Sequence, residues 1–174
     1  MLEHSPPVSV PRLRTARLNL REYRPSDFDA FAAHFAEPRA TARTGGPRDR
    51  RAAWWLFGCN MGEWLLRGAG WWGVELRDSG TFVGTVGAFF RDPWPEIELG
   101  WNTFSAYWGQ GFATEAAAEV VRHAFEVRKE RRVTALISAD NAPSLRVAAH
   151  LGMTYEAEAD VYGNPVGRYV RARS

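Results

Sequence analysis

Trp108-Gly109-Gln110-Gly111-Phe112-Ala113-Thr114-Glu115 is the stretch that organises the reading of the whole chain. It enters a segment, about 113–128, in which Ala113, Ala116, Ala117, Val120, Val121, Ala124 and Phe125 recur at helical spacing. The first-turn N–H groups of a helix have no acceptor within the helix, and its dipole favours negative charge there. A glycine turn that opens a helix is therefore a backbone anion site, with Gly109 and Gly111 free to take the positive φ angles a nest of amides needs. A tight strand-to-helix turn with glycines for packing fits the same residues. The phosphate-loop signature Gly-x-x-x-x-Gly-Lys-Ser/Thr is missing, and Thr114 stands where a dinucleotide fingerprint has its third glycine. A nucleotide triphosphatase and a dinucleotide-binding enzyme are both excluded on residues.

Upstream of this turn, Glu96 to Trp101 alternates Ile97, Leu99 and Trp101 against Glu96 and Glu98, the pattern of a strand. Two further strands precede it, Trp71 to Arg77 and Thr81 to Phe90, joined by Asp78-Ser79-Gly80; a turn over 91–95 completes a meander. Arg17 to Tyr23 gives another strand. Pro25-Ser26-Asp27 opens a helix with Phe28, Phe31 and Phe35 on its apolar face, and Pro38 stops it. A tryptophan-rich helix is predicted over 47–67, although Gly58 and Gly62 each cost about 1 kcal/mol there. Downstream come a strand over 132–138, a helix from Asn141-Ala142-Pro143-Ser144 to Gly152, and two strands, 153–158 and 166–171, about a turn at Gly163-Asn164-Pro165. The order β-α-α-β-β-β-α-β-α-β-β predicts one mixed α/β domain over 1–174, with residues 1–14 a loose arm.

The totals agree with that reading. The chain has 174 residues, 45% hydrophobic and 24% charged, with 22 Lys and Arg against 20 Asp and Glu. That suits one globular core and gives no strong steering towards nucleic acid. A single cysteine, Cys59, excludes an internal disulfide framework and a four-cysteine metal site. With no uncharged apolar run of about 18 residues and no signal architecture at Met1-Leu2-Glu3-His4, a soluble cytoplasmic protein without metal or membrane partner is the expectation.

Two linked motifs carry a resemblance over nearly the whole chain, from Thr15-Ala16-Arg17-Leu18 to Arg171. One is Glu98-Leu99-Gly100-Trp101 followed by Tyr107-Trp108-Gly109-Gln110-Gly111-Phe112-Ala113-Thr114-Glu115-Ala116; the other is Asn141-Ala142-Pro143-Ser144 with Leu151-Gly152-Met153. In these the chain resembles the GCN5-related N-acetyltransferases (GNAT), in particular the branch containing the ribosomal-protein alanine acetyltransferases. The resemblance implies a mostly antiparallel sheet of six to seven strands with a splayed central pair and helices on both faces. It implies acetyl-CoA as co-substrate, its pyrophosphate on the amides of Gly109, Gln110, Gly111, Phe112, Ala113 and Thr114 beside Trp108. The pantetheine would lie along Leu99, Gly100 and Trp101, with Asn141 hydrogen-bonding the arm; Asn141 serves equally as a helix N-cap.

Transfer of an acetyl group to an amine requires loss of an amine proton, stabilisation of an oxyanion and a donor for the leaving thiolate. By resemblance these fall to Glu98, with Glu96, Glu156, Glu158 or a water chain as alternatives, to the Leu99 backbone amide, and to Ser144 near the sulfur, itself alternatively a first-turn polar residue of its helix. The tyrosine that many acetyltransferases place seven residues after the asparagine is Ala148 here. Cys59, expected to be buried, does not offer an acetyl-enzyme. Trp54, Trp55, Trp64, Trp71 and Trp72 are expected mostly in the core, some along an acceptor groove; His123 and His150 are read as helix residues, not as a relay. The acceptor is a protein N-terminus or small amine, and the protein a monomer or homodimer. A non-catalytic CoA-binding or partner-binding module is the alternative.

Overall fold

Leu18 and Leu20 are wholly buried on one side of a short strand, and Arg21 is buried on the other, where Asp27 and Glu75 take its guanidinium at 2.7 and 2.6 Å. This two-sided burial extends through the central sheet, because helices cover both faces. The structure is a computed structural model describing residues 9–92, 95–161 and 163–173. Its elements are β1 (Leu13–Arg14), β2 (Leu18–Arg21), α1 (Phe28–Ala36), α2 (Pro38–Thr41), α3 (Arg50–Arg67), β3 (Gly70–Leu76), β4 (Phe82–Phe90), β5 (Ile97–Thr103), α4 (Phe112–Glu126), β6 (Arg132–Ile137), α5 (Ala142–His150), β7 (Thr154–Val161) and β8 (Asn164–Ala172). The strands form one sheet in the order β1-β2-β3-β4-β5-β6-β8-β7.

Eight strands stand where six to seven were expected. The addition is β1, whose two residues are too few to show an alternation, paired antiparallel with β2. The expected arm is thus anchored over its second half, where the Trp72 indole also donates to the Pro11 carbonyl at 2.6 Å. Residues 1–8 of the arm, and Pro93 and Trp94 of the expected turn, lie outside the described residues. The last turn comes earlier than expected, since Val161 already pairs with Asn164. Pro38 ends α1 and, with its φ preset for a first helical position, also starts α2, which the sequence reading lacked. Asp49 caps α3 by accepting from the Ala52 amide at 2.7 Å, so this helix begins three residues later than predicted.

One core lies between the sheet and α4, where Ala116, Ala117, Val120, Val121 and Ala124 meet Leu20, Val86, Ile97, Leu99 and Val133. A second, of Tyr23, Phe28, Phe31, Phe35, Ala53 and Phe57, lies under α1 and α3. Trp64 and Trp72 belong to the first core, but Trp54, Trp55 and Cys59 are exposed, contrary to expectation. They stand on the side of α3 opposite its buried stripe of Ala53, Phe57, Asn60 and Trp64. No helix among the described residues is long and apolar enough to cross a membrane.

The feature that positions the site is a gap in the sheet. β5 pairs antiparallel with β4 along its whole length, from Thr103 opposite Gly84 to Ile97 opposite Phe90. Its other edge meets β6 in parallel at a single pair, Glu98 opposite Thr134. Beyond that pair the two strands part.

Candidate active site

The amides on the free edge of β5 can be assigned from one hydrogen bond. The Thr134 hydroxyl donates to the Ile97 carbonyl at 3.2 Å, so the backbone of Ile97 faces β6. A strand repeats every two residues, so Leu99 and Trp101 turn their backbone groups the same way; the Leu99 amide is taken by the Thr134 carbonyl in the Glu98–Thr134 pair, and the groups left free in the gap are the Leu99 carbonyl and those of Trp101. The Leu99 side chain meanwhile lies in the core.

Past the end of β5 the chain turns through Gly109 and Gly111, at φ +76° and +81°, into α4. Both have the left-handed backbone that side chains disfavour, which turns successive first-turn amides toward one point. The turn is clamped by a carboxylate of the cavity wall. Glu115, in the first turn of α4, accepts from the Thr15 hydroxyl at 2.6 Å, the Arg17 amide at 2.9 Å and the Arg17 Nε at 2.7 Å. Arg17 Nη1 donates to the Gln110 carbonyl at 3.0 Å, and its guanidinium lies 4.6 Å from the Phe112 ring centroid. Burial alone would raise the Glu115 carboxyl, but these hydrogen bonds outweigh it and hold it below the ordinary carboxylate value.

Across the gap, α5 opens with Asn141 as N-cap, its side-chain oxygen accepting from the Ser144 amide at 3.3 Å. The N-cap alternative for Asn141 is thus realised, and its amide N–H groups stay available as donors. The Trp101 indole N–H donates to the Ser144 hydroxyl at 3.2 Å.

These pieces enclose one cavity of about 950 Å³. Of the residues expected in the site, Trp101, Trp108, Gly109, Gly111, Phe112, Ala113, Thr114, Asn141 and Ser144 line it, while Glu98, Leu99, Gly100 and Gln110 do not. Gly100 serves packing instead. With Gly87 opposite on β4, it leaves room for the Trp71 ring, and a Cβ there would sit 2.4 Å from that ring. Glu98 is buried, and Arg91 engages both its carboxylate oxygens, at 2.7 and 2.8 Å. None of Trp54, Trp55, Trp64, Trp71 or Trp72 lines the cavity.

The sequence reading missed the groups on the opposite wall. His34 near the end of α1, Arg39 and Ala40 on α2, and Arg43 and Thr44 after it face Asn102 and Thr103 of β5, with Arg146 and His150 contributed by α5. His34 falls three residues after Phe31 on the apolar stripe of α1, a spacing that could have marked it as inward-facing. Its ring stacks on Phe104 at 4.9 Å, is 6% exposed, and leaves Nδ1 without a hydrogen-bond partner. Burial lowers its pKa below the ordinary histidine value of 6.5, a shift that Glu37 opposes only in part. Arg39 lies 5.3 Å from the Trp108 ring centroid, and Trp108 is fixed by its own N–H donating to the Thr103 carbonyl at 2.6 Å.

With Glu115 committed to Thr15 and Arg17, the charged side chains left to the lining are the cations Arg39, Arg43 and Arg146, beside the amides of the glycine turn and an apolar wall that includes Trp101, Trp108 and Phe112. That donor set fits a ligand carrying several phosphates at one end and an extended amide chain at the other. Among the described residues no group of three or more His, Cys, Asp or Glu is placed to hold a metal.

Comparison with known proteins supplies the family. The chain is 30% identical to an acetyltransferase of Agrobacterium tumefaciens strain C58, with a TM-score of 0.86 over 98% of this chain and 99% of that one. It is 28% identical to the YkkB protein of Bacillus subtilis (strain 168), covering 92% of this chain and 95% of the relative. An aminoglycoside acetyltransferase solved in complex with coenzyme A shares the fold, at 12% identity and a TM-score of 0.75 over 90% of this chain and 95% of that one. The model of the acetyltransferase (GNAT) domain matches residues 17–154, from the arginine of the clamp to the first residue of β7. The chain belongs to the GNAT family of N-acetyltransferases.

Proposed function

We propose that the protein transfers the acetyl group of acetyl-CoA to a primary amine, a protein N-terminus or a small amine, by direct attack in a ternary complex. We place it in the branch of the ribosomal-protein alanine acetyltransferases on the two motifs around Gly111 and Asn141. The observation that carries the reading is the convergence, on one cavity, of the free β5 edge, the left-handed glycine turn and the N-terminus of α5.

In this reading the amides of 109–114 hold the pyrophosphate of coenzyme A, and the Leu99 carbonyl and the Trp101 backbone groups pair with its pantetheine as an added strand would. The Asn141 amide N–H groups donate to the same arm. Tryptophan only donates, so the Trp101 bond leaves the Ser144 hydroxyl proton free to be given to the leaving thiolate. Glu98, whose carboxylate is held by Arg91 away from the cavity, is a poor recipient of the amine proton. His34, neutral at pH 7 and lining the acceptor side, receives it instead. Cys59 lies outside the cavity lining, which favours direct attack over an acetyl-cysteine intermediate.

The test has two arms. Calorimetry with coenzyme A should show one site per chain; no interaction would overturn the reading. A thiol-release assay with acetyl-CoA and a panel of N-terminal peptides, polyamines and aminoglycosides should find at least one acceptor. Tight binding with no acceptor would instead favour a non-catalytic CoA-binding module, and stoichiometric acetylation of Cys59 by acetyl-CoA alone would overturn direct attack.

A further inference from the structure

Helix α3 has two apolar faces, and the fold covers one of them. Ala53, Phe57, Asn60 and Trp64 face inward. On the opposite side Trp54, Trp55, Leu65 and Leu66 are 55%, 64%, 70% and 77% exposed. At about 100° per residue, these four and Gly58 and Gly62 fall within a single arc of about 120°. Apart from exposed Arg51 at its N-terminal end the outer arc is apolar, and it calls for a cover that the described chain does not supply.

The two glycines point the same way. Each weakens a helix interior by about 1 kcal/mol against alanine. Neither has a positive φ, and a Cβ built on either would meet nothing within 4 Å. Nothing among the described residues therefore requires glycine at these positions. They clear a strip of bare backbone in the middle of the exposed arc.

The arrangement is symmetric in sequence about residue 60. Trp54 and Trp55 precede it by six and five residues, and Leu66 and Leu65 follow it by six and five; Gly58 and Gly62 stand two residues to either side. A two-fold axis perpendicular to the helix, passing outside the exposed arc at the level of residue 60, therefore sets Trp54 of one copy level with Leu66 of the other, Trp55 with Leu65, and Gly58 with Gly62. A face of this kind is complementary to its own copy laid antiparallel, and that is the requirement for an isologous dimer contact. Bare backbone meets bare backbone at the crossing, so the helices approach closely enough for both pairs of indoles to reach the leucines. Trp54 is held in place by its own chain, its ring set edge-on to Phe28 at 4.9 Å, and still leaves 55% of its surface exposed. The four large side chains offer on the order of 500 Å² per copy, so a pair buries on the order of 1,000 Å², the lower bound for a specific interface.

We infer that the protein is a homodimer in which α3 crosses α3 of a second copy antiparallel, with the dyad outside the exposed arc at the level of residue 60 and each tryptophan pair seated on the other copy's leucine pair. No residue of this face lines the cavity.

The experiment is sedimentation equilibrium on the full chain, with and without substitutions. The wild type should sediment at twice the 19.6 kDa of one chain. Trp55→Glu and Leu65→Arg should each give monomer, with far-ultraviolet dichroism and calorimetric coenzyme A binding unchanged from the wild type. The double variant Trp55→Glu/Leu65→Arg, which sets opposite charges against each other at both ends of the seam, should recover the dimer. Gly58→Ala/Gly62→Ala, which favours the helix and needs no refolding of the chain, should weaken dimerisation at least tenfold. A wild type that is monomeric at 100 µM, a dimer untouched by Trp55→Glu, or a double variant that stays monomeric would each overturn the proposal. Since association is read directly, none of these outcomes depends on whether the chain acetylates anything.

Discussion

The Trp101 indole N–H reaches the Ser144 hydroxyl at 3.2 Å, joining β5 to α5 across the opening that separates β5 from β6. The bond fixes a direction as well as a distance. Because the indole has no acceptor, the serine oxygen must accept, and its proton is turned to other partners in the cavity. Ser144→Ala is expected to lower kcat by about 10- to 100-fold, within the range for a positioned proton donor of modest acidity. Trp101→Phe, which keeps the ring and deletes the N–H, should lower it by about tenfold with the KM for acetyl-CoA little changed. Steady-state kinetics with the fastest acceptor of the panel checks both, and an unchanged kcat in Ser144→Ala would remove serine from the transfer step.

His34 and Glu98 are told apart by pH. A base works unprotonated, and burial sets the His34 titration below 6.5, so the wild-type kcat/KM should carry an acid limb below that pH and be complete with respect to this group at pH 7. His34→Gln should abolish the limb and reduce kcat/KM by about 100-fold at pH 7. Glu98→Gln should leave the limb in place and cost stability instead, about 3 kcal/mol, because the buried pair with Arg91 is broken on one side only. A limb that survives in His34→Gln and vanishes in Glu98→Gln reverses the assignment.

The clamp on the glycine turn predicts a binding defect with no change in chemistry. Glu115→Gln removes the charge that gathers Thr15 and Arg17 under the turn, and should weaken coenzyme A binding by about tenfold. The folded-state pKa of Glu115 is depressed, so its stabilisation is present above the unfolded carboxylate value and is lost as pH falls through the lower folded one. Thermal melts between pH 3 and 5 should show a steeper loss in the wild type than in Glu115→Gln.

Gly109→Ala isolates backbone strain from crowding, since a Cβ at this position meets nothing within 4 Å while its φ stays at +76°. About 1 kcal/mol of destabilisation is expected, and a melting temperature lower by a few degrees. Calorimetry should show weaker coenzyme A binding for the same reason, because relaxing φ turns the amides away from their common point.

Acid destabilisation has a second source. Burial, with Arg128 and Arg122 adding to it, lowers the pKa of His123, and burial lowers that of His34. Both bind fewer protons folded than unfolded in the window below 6.5, so stability is full above 6.5 and falls as pH drops through the folded values. Melts of His123→Gln between pH 5 and 7 should be flatter than those of the wild type.

The elements of this fold were legible wherever periodicity was long. The stripe from Ala116 to Phe125, the alternation of Ile97 and Leu99 and the glycine turn each name their own secondary structure, because burial on one face imposes a fixed repeat on the chain. β1 was illegible since two residues have no period. α2 was hidden because proline both ends one helix and begins the next. The exposure of Trp54, Trp55 and Cys59 could not be read, as a helix apolar on both sides does not say which side the sheet takes.

The candidate site divides in the same way. The local chemistry of 108–115, the N-cap at Asn141 and the family they point to were set by the sequence alone, since neighbouring residues impose them through backbone geometry. Which side chains share a cavity was decided by tertiary structure. His34 and Arg39 arrive from the first helices, Glu98 is drawn off by Arg91, and Glu115 is drawn off by Thr15 and Arg17 from about a hundred residues away. A carboxylate or an imidazole has no role until its partner is fixed, and that partner is chosen by how distant strands and helices pack.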